Sequence, residues 1–303
     1  MEKSKPILNN SFAEYALDKN IEDKLKRLLM LILKDIDYVC KLDNIHYSLC
    51  AGSVLGAVRH KGIIPWDDDI DLMMFERDIK KLKASLNIHF PKKYSFLSEK
   101  KYNDDPLKFE KIMLTGTKYV EIGTDGLKNG RGIGIDIFQV INLPNNKIFR
   151  WLKGKIFNLL SPLPSLHFFT FSHSKTYKNK AKKDDKFRKF YNKRLLMGLF
   201  TFFLPTCAWK WLSTKAIFHN IKHKTIYSSI PYGSKRYFGE MHKTLLWNEL
   251  IYVDFEGNLY PIPKNWKEYL SSKYGTDYMS IPDDSKKEKH FAEIIDFGPY
   301  ENI

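Results

Sequence analysis

Four aspartates lie within five positions of the chain, in the stretch Trp66-Asp67-Asp68-Asp69-Ile70-Asp71. Asp69 and Asp71 are two residues apart at the start of a predicted apolar strand, so both carboxylates are expected on one face. Two carboxylates that close repel each other unless a proton or a cation lies between them. Mg²⁺ takes oxygen ligands and commonly combines one or two carboxylates with substrate phosphates. The spacing therefore predicts a magnesium site at Asp69 and Asp71, with Asp67 either a third ligand or a loop acid.

A Gly52-Ser53 pair precedes the acids and ends a short predicted strand. Glycine lets the backbone approach a phosphate closely, and a helix N-terminus favours negative charge. Ser53 is expected to cap a helix that runs to about His60. The pair and the acids together indicate a site for a metal-bound polyphosphate. An acidic surface loop is the alternative, and it is disfavoured because unpaired carboxylates on a buried strand are costly.

A third acid, Asp136, stands alone in the apolar run Gly134-Ile135-Asp136-Ile137-Phe138. A carboxylate would be needed to take a proton from an attacking hydroxyl. A single acid inside an apolar strand is a candidate for such a role, because burial perturbs the pKa of functional groups. We expect Asp136 to complete the acidic cluster, the alternative being a buried aspartate that caps a loop.

The elements that must position these residues alternate between helix and strand. Apolar residues at steps of three and four predict helices over 21–41 and 76–88. Apolar runs predict strands over 45–51, 70–74, 109–114, 118–122 and 133–140, then a hairpin over 249–254 and 259–262. Pro263 is expected to open a last helix through Tyr274, which Gly275 ends. The pattern predicts an α+β fold, with a mixed sheet flanked by helices.

The composition is that of a globular protein, with 43% apolar and 28% charged residues among 303. The 50 Lys and Arg exceed the 35 Asp and Glu, and a net charge of +15 attracts anionic partners. Three cysteines without a Cys-x-x-Cys pair exclude a disulfide framework and favour a reducing compartment. No secretory signal is visible at the start of the chain, so a cytoplasmic location is predicted.

The middle of the chain, residues 147–223, is predicted to be helical and basic. Residues 175–194 hold eight Lys and two Arg against two Asp. Such a run is usually a solvated face. The apolar stretches 156–171 and 195–209 are expected to be buried helix and loop. The alternative is a surface that, together with the basic run, dips into an anionic membrane interface. We predict three units: a core over 1–146, this helical basic insertion over 147–230, and a C-terminal block over 231–303.

Three stretches of this chain resemble one known family. The run from Leu55-Gly56-Ala57 to Asp71 strongly resembles the signature of the LicD phosphocholine transferases, relatives of the fukutin-type ribitol-phosphate transferases in the nucleotidyltransferase-fold superfamily. Residues 132–138 resemble the later acidic strand of that family, and residues 273–282 with His290 resemble its C-terminal block. The resemblance implies a nucleotidyltransferase-like core, on which the C-terminal block packs back. Fifteen residues separate Ser53 from Asp69, more than the compact superfamily pattern has, but this suits LicD.

The resemblance also implies a reaction. Phosphocholine would pass from CDP-choline to a hydroxyl of a cell-surface glycan, such as lipopolysaccharide or teichoic acid, or of its lipid-linked precursor, and CMP would be released. Asp69 and Asp71 would hold Mg²⁺, or Mn²⁺ in its place, on the donor diphosphate. Asp136 would act as base on the acceptor hydroxyl. The enzyme would work at the inner face of the cytoplasmic membrane, in peripheral contact with it.

Other residues are candidate substrate contacts. Arg59, Lys61 and Lys111 could clamp phosphate, for which a guanidinium offers two donors. The alternative for Lys61 and Lys111 is a solvated lysine. Trp66 adjoins the acids and could face the quaternary ammonium of choline, the alternative being a packed core tryptophan. His290 could contact phosphate or be structural.

Three alternative functions remain open. The donor could carry ribitol phosphate or another phospho-alcohol. The net charge of +15 is also compatible with a nucleic-acid-binding protein. The acidic cluster and the lack of a recognisable binding motif oppose this, so no nucleic acid is expected. An inactive relative that only binds a membrane or partner is disfavoured by the intact acids at 69, 71 and 136.

Overall fold

The structure, a computed structural model, describes Phe12, residues 15–217, residues 225–283, Lys287 and residues 291–303. The helices are α1 Lys19–Leu42, α2 Ala51–His60, α3 Glu76–His89, α4 Lys147–Leu160, α5 Leu163–Phe171, α6 Lys175–Lys183, α7 Asp185–Leu199, α8 Thr206–Ile217, α9 Arg236–Gly239, α10 Leu245–Asn248 and α11 Trp266–Tyr274. The strands are β1 Ser48–Leu49, β2 Asp71–Phe75, β3 Tyr94–Phe96, β4 Glu110–Leu114, β5 Lys118–Glu121, β6 Gly134–Asn142, β7 Tyr227–Ser229, β8 Met241–Lys243, β9 Leu250–Phe255, β10 Asn258–Pro263 and β11 Ala292–Asp296.

The main sheet runs in the order β1-β2-β6-β4-β3, and β7 and β8 extend it from the far end of β6. β2 and β6 are parallel, whereas β6 pairs antiparallel with both β4 and β7. β5 pairs antiparallel with β11, and β9 with β10. The predicted α+β fold with a mixed sheet and flanking helices is thereby confirmed.

Helix α1 carries the apolar face that builds the core. Leu25, Leu29, Ile32 and Ile36 follow the helical repeat and are at most 2% exposed. They pack in one cluster with residues of β2 and β6 and with Leu82 of α3. Asp18 caps the helix by accepting a hydrogen bond from the Ile21 N–H at 3.0 Å. The core therefore fixes the strands that carry the acids.

The turn from β1 into α2 differs from its prediction. Cys50, not Ser53, is the N-cap residue, and Ser53 lies within the first turn of the helix. The chain enters the helix through Ala51, whose φ of +46° is left-handed. That conformation costs an L-residue about 1–2 kcal/mol. A cap based on Ser53 was wrong because this turn bends earlier than the residue preferences indicate.

The C-terminal part returns to the core. β11 pairs with β5, and the Ser48 hydroxyl of β1 donates to the Pro261 carbonyl of β10 at 3.2 Å. Pro263 ends β10, so the prediction that it opens the last helix was wrong, and α11 begins at Trp266. Strands β3, β7, β8 and β11, which have three to five residues each, were not predicted.

The middle of the chain is helical as predicted, from α4 to α8, up to Ile217. α4 packs on α8, α5 packs on both α7 and α8, and α6 packs on α7. Residues 218–224 lie outside the described part of the chain. Within the described residues, the helices are all too short or too polar to cross a bilayer.

Candidate active site

Three ionisable side chains lie in register across three adjacent strands. Asp71 begins β2 and is the register partner of Asp136 on the parallel strand β6. Asp136 is in turn opposite Lys111 on β4. Register partners on neighbouring strands present their side chains to the same face of a sheet. The sheet therefore brings together two acids that are 65 positions apart in the sequence.

Asp69 precedes β2 and is close enough to interact with this row. The pKa of Asp71 is raised well above its ordinary value, first by burial and then by the negative charges of Asp69 and Asp136. Burial is also the main reason why the pKa of Asp136 is raised. The structure thus places Asp69 and Asp136 within electrostatic range of Asp71.

Lys111 is the counter-ion of Asp136. Its Nζ lies 2.5 Å from Asp136 Oδ1, and both side chains are at most 15% exposed. Burial lowers the pKa of Lys111, but the charges of Asp136 and Glu121 outweigh burial and raise it overall. Lys111 was predicted to clamp phosphate, but its ammonium group is already paired with the Asp136 carboxylate. Its role as a phosphate clamp stays a prediction.

The turn between β1 and α2 is tied to the start of β2. The Asp71 N–H donates to Ser53 Oγ at 2.8 Å, and the Cys50 N–H donates to the Asp71 carbonyl at 2.8 Å. The hydroxyl of Tyr269 accepts from the Ala51 N–H at 3.1 Å. These bonds hold the left-handed Ala51 in place, and backbone strain of this kind clusters at functional sites.

Gly52 allows an acid to approach the N-terminus of α2. A Cβ on Gly52 would lie 3.1 Å from Asp67 Oδ2, closer than most Cβ contacts. The carboxylate of Asp67 therefore lies where the first turn of the helix favours negative charge. A phosphate would be attracted to the same place.

A cavity of about 110 Å³ adjoins the acids. Asp68, Asp69, Lys111, Glu121 and Asp136 contribute to its wall. The volume holds several waters. The hydroxyl of Tyr119, another wall residue, donates to Asp68 Oδ2 at 2.6 Å.

A wider cleft of about 750 Å³ lies at the opposite ends of β2 and β6. Glu76 is the one acid among its described lining residues. Because Asp68, Asp69, Glu121 and Asp136 all line the smaller cavity, it is the candidate active-site cavity.

The carboxylates around Asp71 suit a hard divalent cation, because they offer oxygen ligands and their negative charges repel one another. Within the residues that the structure describes, no three His, Cys, Asp or Glu side chains are gathered closely enough to hold a metal ion. Lys111 already neutralises one of the three acids. Asp69 and Asp71 as metal ligands therefore stay a prediction.

Arg59 and Trp66 lie on a neighbouring surface. The Arg59 guanidinium donates to the carbonyls of Tyr278 and Ser280 at 2.9 and 3.2 Å, which ties α2 to the chain after α11. The Trp66 ring is half-buried, with Arg59 at 5.5 Å and Lys287 Nζ at 4.5 Å from its centroid. The ring thus already interacts with cations.

His290 lies outside the described residues, so its predicted role is not tested.

Sequence reasoning missed a second buried ion pair near the acids. Lys273 Nζ lies 2.5 Å from Glu240 Oε1, and the side chains are 6% and 1% exposed. The positive charge of Lys273 lowers the pKa of Asp71, against the larger opposing effect of burial. Lys273 is the first residue of the C-terminal stretch 273–282. The sequence of that stretch does not indicate that Lys273 pairs with Glu240, which lies 33 positions upstream.

Comparison with known proteins agrees with the geometry. Residues 44–158 match the family described as LicD/FKTN/FKRP, nucleotidyltransferase domain. The lipopolysaccharide cholinephosphotransferase LicD of Haemophilus influenzae is 26% identical over 279 residues, which cover 89% of this chain and 96% of that protein. An uncharacterized protein of Rickettsia prowazekii is 36% identical over 83 residues, 27% of this chain and 31% of that one.

The matched segment contains β1, α2, β2 and β6, and with them Gly52, Asp69, Asp71 and Asp136. The resemblance that the sequence indicated is therefore confirmed. Residues 44–158 are similar to the LicD/FKTN/FKRP nucleotidyltransferase domain, and most of the chain is similar to a lipopolysaccharide cholinephosphotransferase.

Proposed function

We propose that this protein is a metal-dependent phosphotransferase. It moves phosphocholine from CDP-choline to a hydroxyl of a cell-surface glycan, or of its lipid-linked precursor, and releases CMP. The observation that supports this most is that Asp69 and Asp136 line one cavity and that Asp71 lies in register beside Asp136, within the segment that matches the LicD family. The similarity to a lipopolysaccharide cholinephosphotransferase over most of the chain supports a phospho-alcohol as the group transferred.

Asp69 and Asp71 are the residues proposed to hold Mg²⁺, or Mn²⁺, against the diphosphate of the donor. The cation would neutralise charge on the transferring group. The raised pKa of Asp71 supports this role, because a buried carboxylate among like charges gains from a nearby cation. The N-terminus of α2 would favour the donor phosphates through the positive end of its helix dipole.

Asp136 is proposed as the base. It would take the proton of the acceptor hydroxyl while that oxygen forms a bond to the distal phosphorus and the bond from this phosphorus to the CMP oxygen breaks. Burial raises the pKa of Asp136, which makes the carboxylate a stronger base, and the contact with Lys111 favours its ionised form before the reaction. Lys111 would thus position the base rather than clamp phosphate.

Choline recognition is proposed for Trp66. Its ring already faces the cationic groups of Arg59 and Lys287, so the environment accepts positive charge at this aromatic face. Arg59 lies on the same surface and remains our candidate for a donor phosphate contact. The helices of residues 147–230 are proposed to form a separate unit that meets the acceptor, and the location is proposed to be the cytoplasmic side of the membrane.

The test is CMP release from CDP-choline and from CDP-ribitol, measured in parallel with the purified chain, Mg²⁺ and a lipopolysaccharide or lipid-linked glycan acceptor. Faster release from CDP-choline, with phosphocholine recovered on the acceptor, is the expected result. Faster release from CDP-ribitol would replace choline by ribitol phosphate within the same mechanism. Folded protein that turns over neither donor would contradict the proposal.

A further inference from the structure

Helix α4 exposes its apolar residues on its outer surface. Ile148, Leu152, Ile156 and Leu159 follow one another at steps of four, four and three, and are 77%, 46%, 42% and 72% exposed. This spacing places them along one stripe of the helix. Trp151 is 53% exposed and borders the stripe. A helix on a globular surface normally turns such a stripe to the core.

The opposite side of α4 already packs against the protein. Phe157 is fully buried in a cluster with Ile217 and Tyr237. Gly154 faces the rings of Tyr237 and Phe238, which a Cβ at this position would strike. The Tyr237 hydroxyl donates to the Arg150 carbonyl at 3.1 Å. The helix is therefore fixed in an orientation that leaves the apolar stripe outside.

A second exposed apolar segment joins α7 to α8. Its members at the end of α7 and in the following turn are each more than half exposed: Leu196, Met197, Leu199, Phe200, Phe202 and Phe203. Trp211 on α8 is 58% exposed. α8 packs against α4, so the two exposed segments belong to one helical assembly. Patches of this kind mark surfaces for a partner or a membrane.

The charge of this assembly indicates which partner it meets. Residues 147–217 hold sixteen Lys and Arg against two Asp, a net of +14 within a chain whose total is +15. Exposed tryptophans also lie beside lysines: Lys155 Nζ is 5.5 Å from the Trp151 ring centroid and Lys215 Nζ is 5.8 Å from that of Trp211. Amphipathic rings with long cationic side chains suit the headgroup level of a bilayer.

We infer that the apolar stripe of α4, residues 148, 151, 152, 156 and 159, together with the segment 196–203, docks the protein on an anionic lipid surface. The apolar side chains would enter the boundary between headgroups and acyl chains, and the surrounding lysines would contact the anionic headgroups. The docking site is built from residues outside the acidic cluster, so it does not depend on the proposed transfer reaction. The stripe of α4 and the segment 196–203 would form the surface of the protein that contacts the membrane.

The test is flotation of the full chain with vesicles of phosphatidylcholine, with and without phosphatidylglycerol. We expect binding to the anionic vesicles that weakens as salt is raised, because the lysine contribution is screened. The double variant Ile148→Ser with Leu159→Ser should reduce partitioning about tenfold or more, since two apolar side chains no longer enter the lipid. The variant Phe200→Ser with Phe202→Ser should have a comparable effect.

The matched control is Ile88→Ser with Leu259→Ser, which changes residues 73% and 60% exposed outside the insertion. Partitioning of this control should equal that of the wild type, and thermal unfolding should confirm that each variant folds. Absence of binding to anionic vesicles, or equal loss in the control, would overturn the inference. It would also be overturned if the α4 variant left vesicle binding intact and instead abolished a dimer or RNA binding.

Discussion

The sheet core and the helical insertion use apolar residues in opposite directions. In the core, the apolar face of α1 turns inward, and Ile32 and Ile36 are fully buried. In the insertion, α4 has an apolar stripe of the same helical spacing that turns outward, with Ile148 77% exposed. Helical periodicity therefore identifies an apolar face, but it does not tell whether the protein core or an external partner covers that face.

The two regions also differ in charge. Nearly all of the net charge of +15 lies in residues 147–217, so the rest of the chain is close to neutral. Within that nearly neutral remainder, Asp69 and Asp136 line one cavity, and their negative charges act on Asp71 beside it. One region thus concentrates negative charge at a buried site, and the other spreads positive charge over a surface. We assign chemistry to the first and placement on a membrane to the second.

The largest expected effect is on activity, from Asp71→Asn. Loss of the central carboxylate should reduce CMP release about 10³-fold or more, because a metal contributes several kcal/mol to such a transfer. Stability should not fall. The raised pKa of Asp71 means that its favourable contribution is complete only below the unfolded pKa and is lost as pH rises through the folded pKa. At neutral pH without metal, Tm should be unchanged or higher by about 2 °C.

The matched control for this variant is Asp254→Asn, an exposed acid on β9. It should leave both CMP release and Tm at their wild-type values. Wild-type activity in Asp71→Asn would place the chemistry elsewhere, and a large fall in its Tm would contradict the repulsion among the acids.

The next effect is on stability, from Lys111→Met. This change leaves Asp136 buried without its counter-ion, and breaking a buried pair in this way costs about 3–5 kcal/mol. Urea unfolding should show the loss. The exposed Lys118→Met on β5 should change the free energy of unfolding by less than about 0.5 kcal/mol. Equal stabilities of the two variants would mean that the pair with Asp136 does not form.

One substitution made in both regions sharpens the contrast between them. Ile137→Ala in β6 should cost about 2–5 kcal/mol of unfolding free energy, because Ile137 is fully buried. Ile148→Ala on α4 should change it by less than about 0.5 kcal/mol, because that side chain is 77% exposed. Chemical denaturation of both variants gives the comparison. A cost at Ile148 close to that at Ile137 would show that the stripe is covered within the protein itself.

The smallest effect is expected from removing the second buried pair, with Lys273→Met and Glu240→Gln together. Lys273 lowers the pKa of Asp71, so its loss should raise that pKa and move the acidic limb of the pH–rate profile to higher pH. At a pH below the acidic limb, activity should fall by at most about tenfold for each pH unit by which the limb moves. The exposed pair Lys264 and Glu249, 3.6 Å apart, gives the control variant Lys264→Met with Glu249→Gln. A limb that stays in place, or moves to lower pH, would contradict this electrostatic role.

Local patterns were sufficient to predict much of the core. Helix α3 was predicted over 76–88 and runs over Glu76–His89, and β6 was predicted over 133–140 and runs over Gly134–Asn142. These elements are long and strongly patterned, so the apolar period decides them. The helix start at Ala51 was missed because a left-handed φ at a non-glycine residue has no sequence signal.

Contacts between distant parts of the chain could not be predicted in the same way. The acids at 69, 71 and 136 were expected to converge, and the strand register brings 71 and 136 together. Lys111 was predicted as a phosphate clamp, and its pairing with Asp136 was not predicted, because that pair depends on β4 lying beside β6 in the sheet. The partner of Lys273 and the outward face of α4 also depend on tertiary packing. Spacing along the chain does not encode either.

The most direct test of the central claim is binding of Mn²⁺ to the full chain, measured by electron paramagnetic resonance with and without CDP-choline. We expect the wild type to bind Mn²⁺, more tightly when CDP-choline is present, and Mg²⁺ to displace it. The variant Asp71→Asn should lose this binding, and Asp254→Asn should keep it. Binding of equal strength to wild type and Asp71→Asn, or no binding by a folded protein with CDP-choline present, would contradict a cation site at residues 69 and 71.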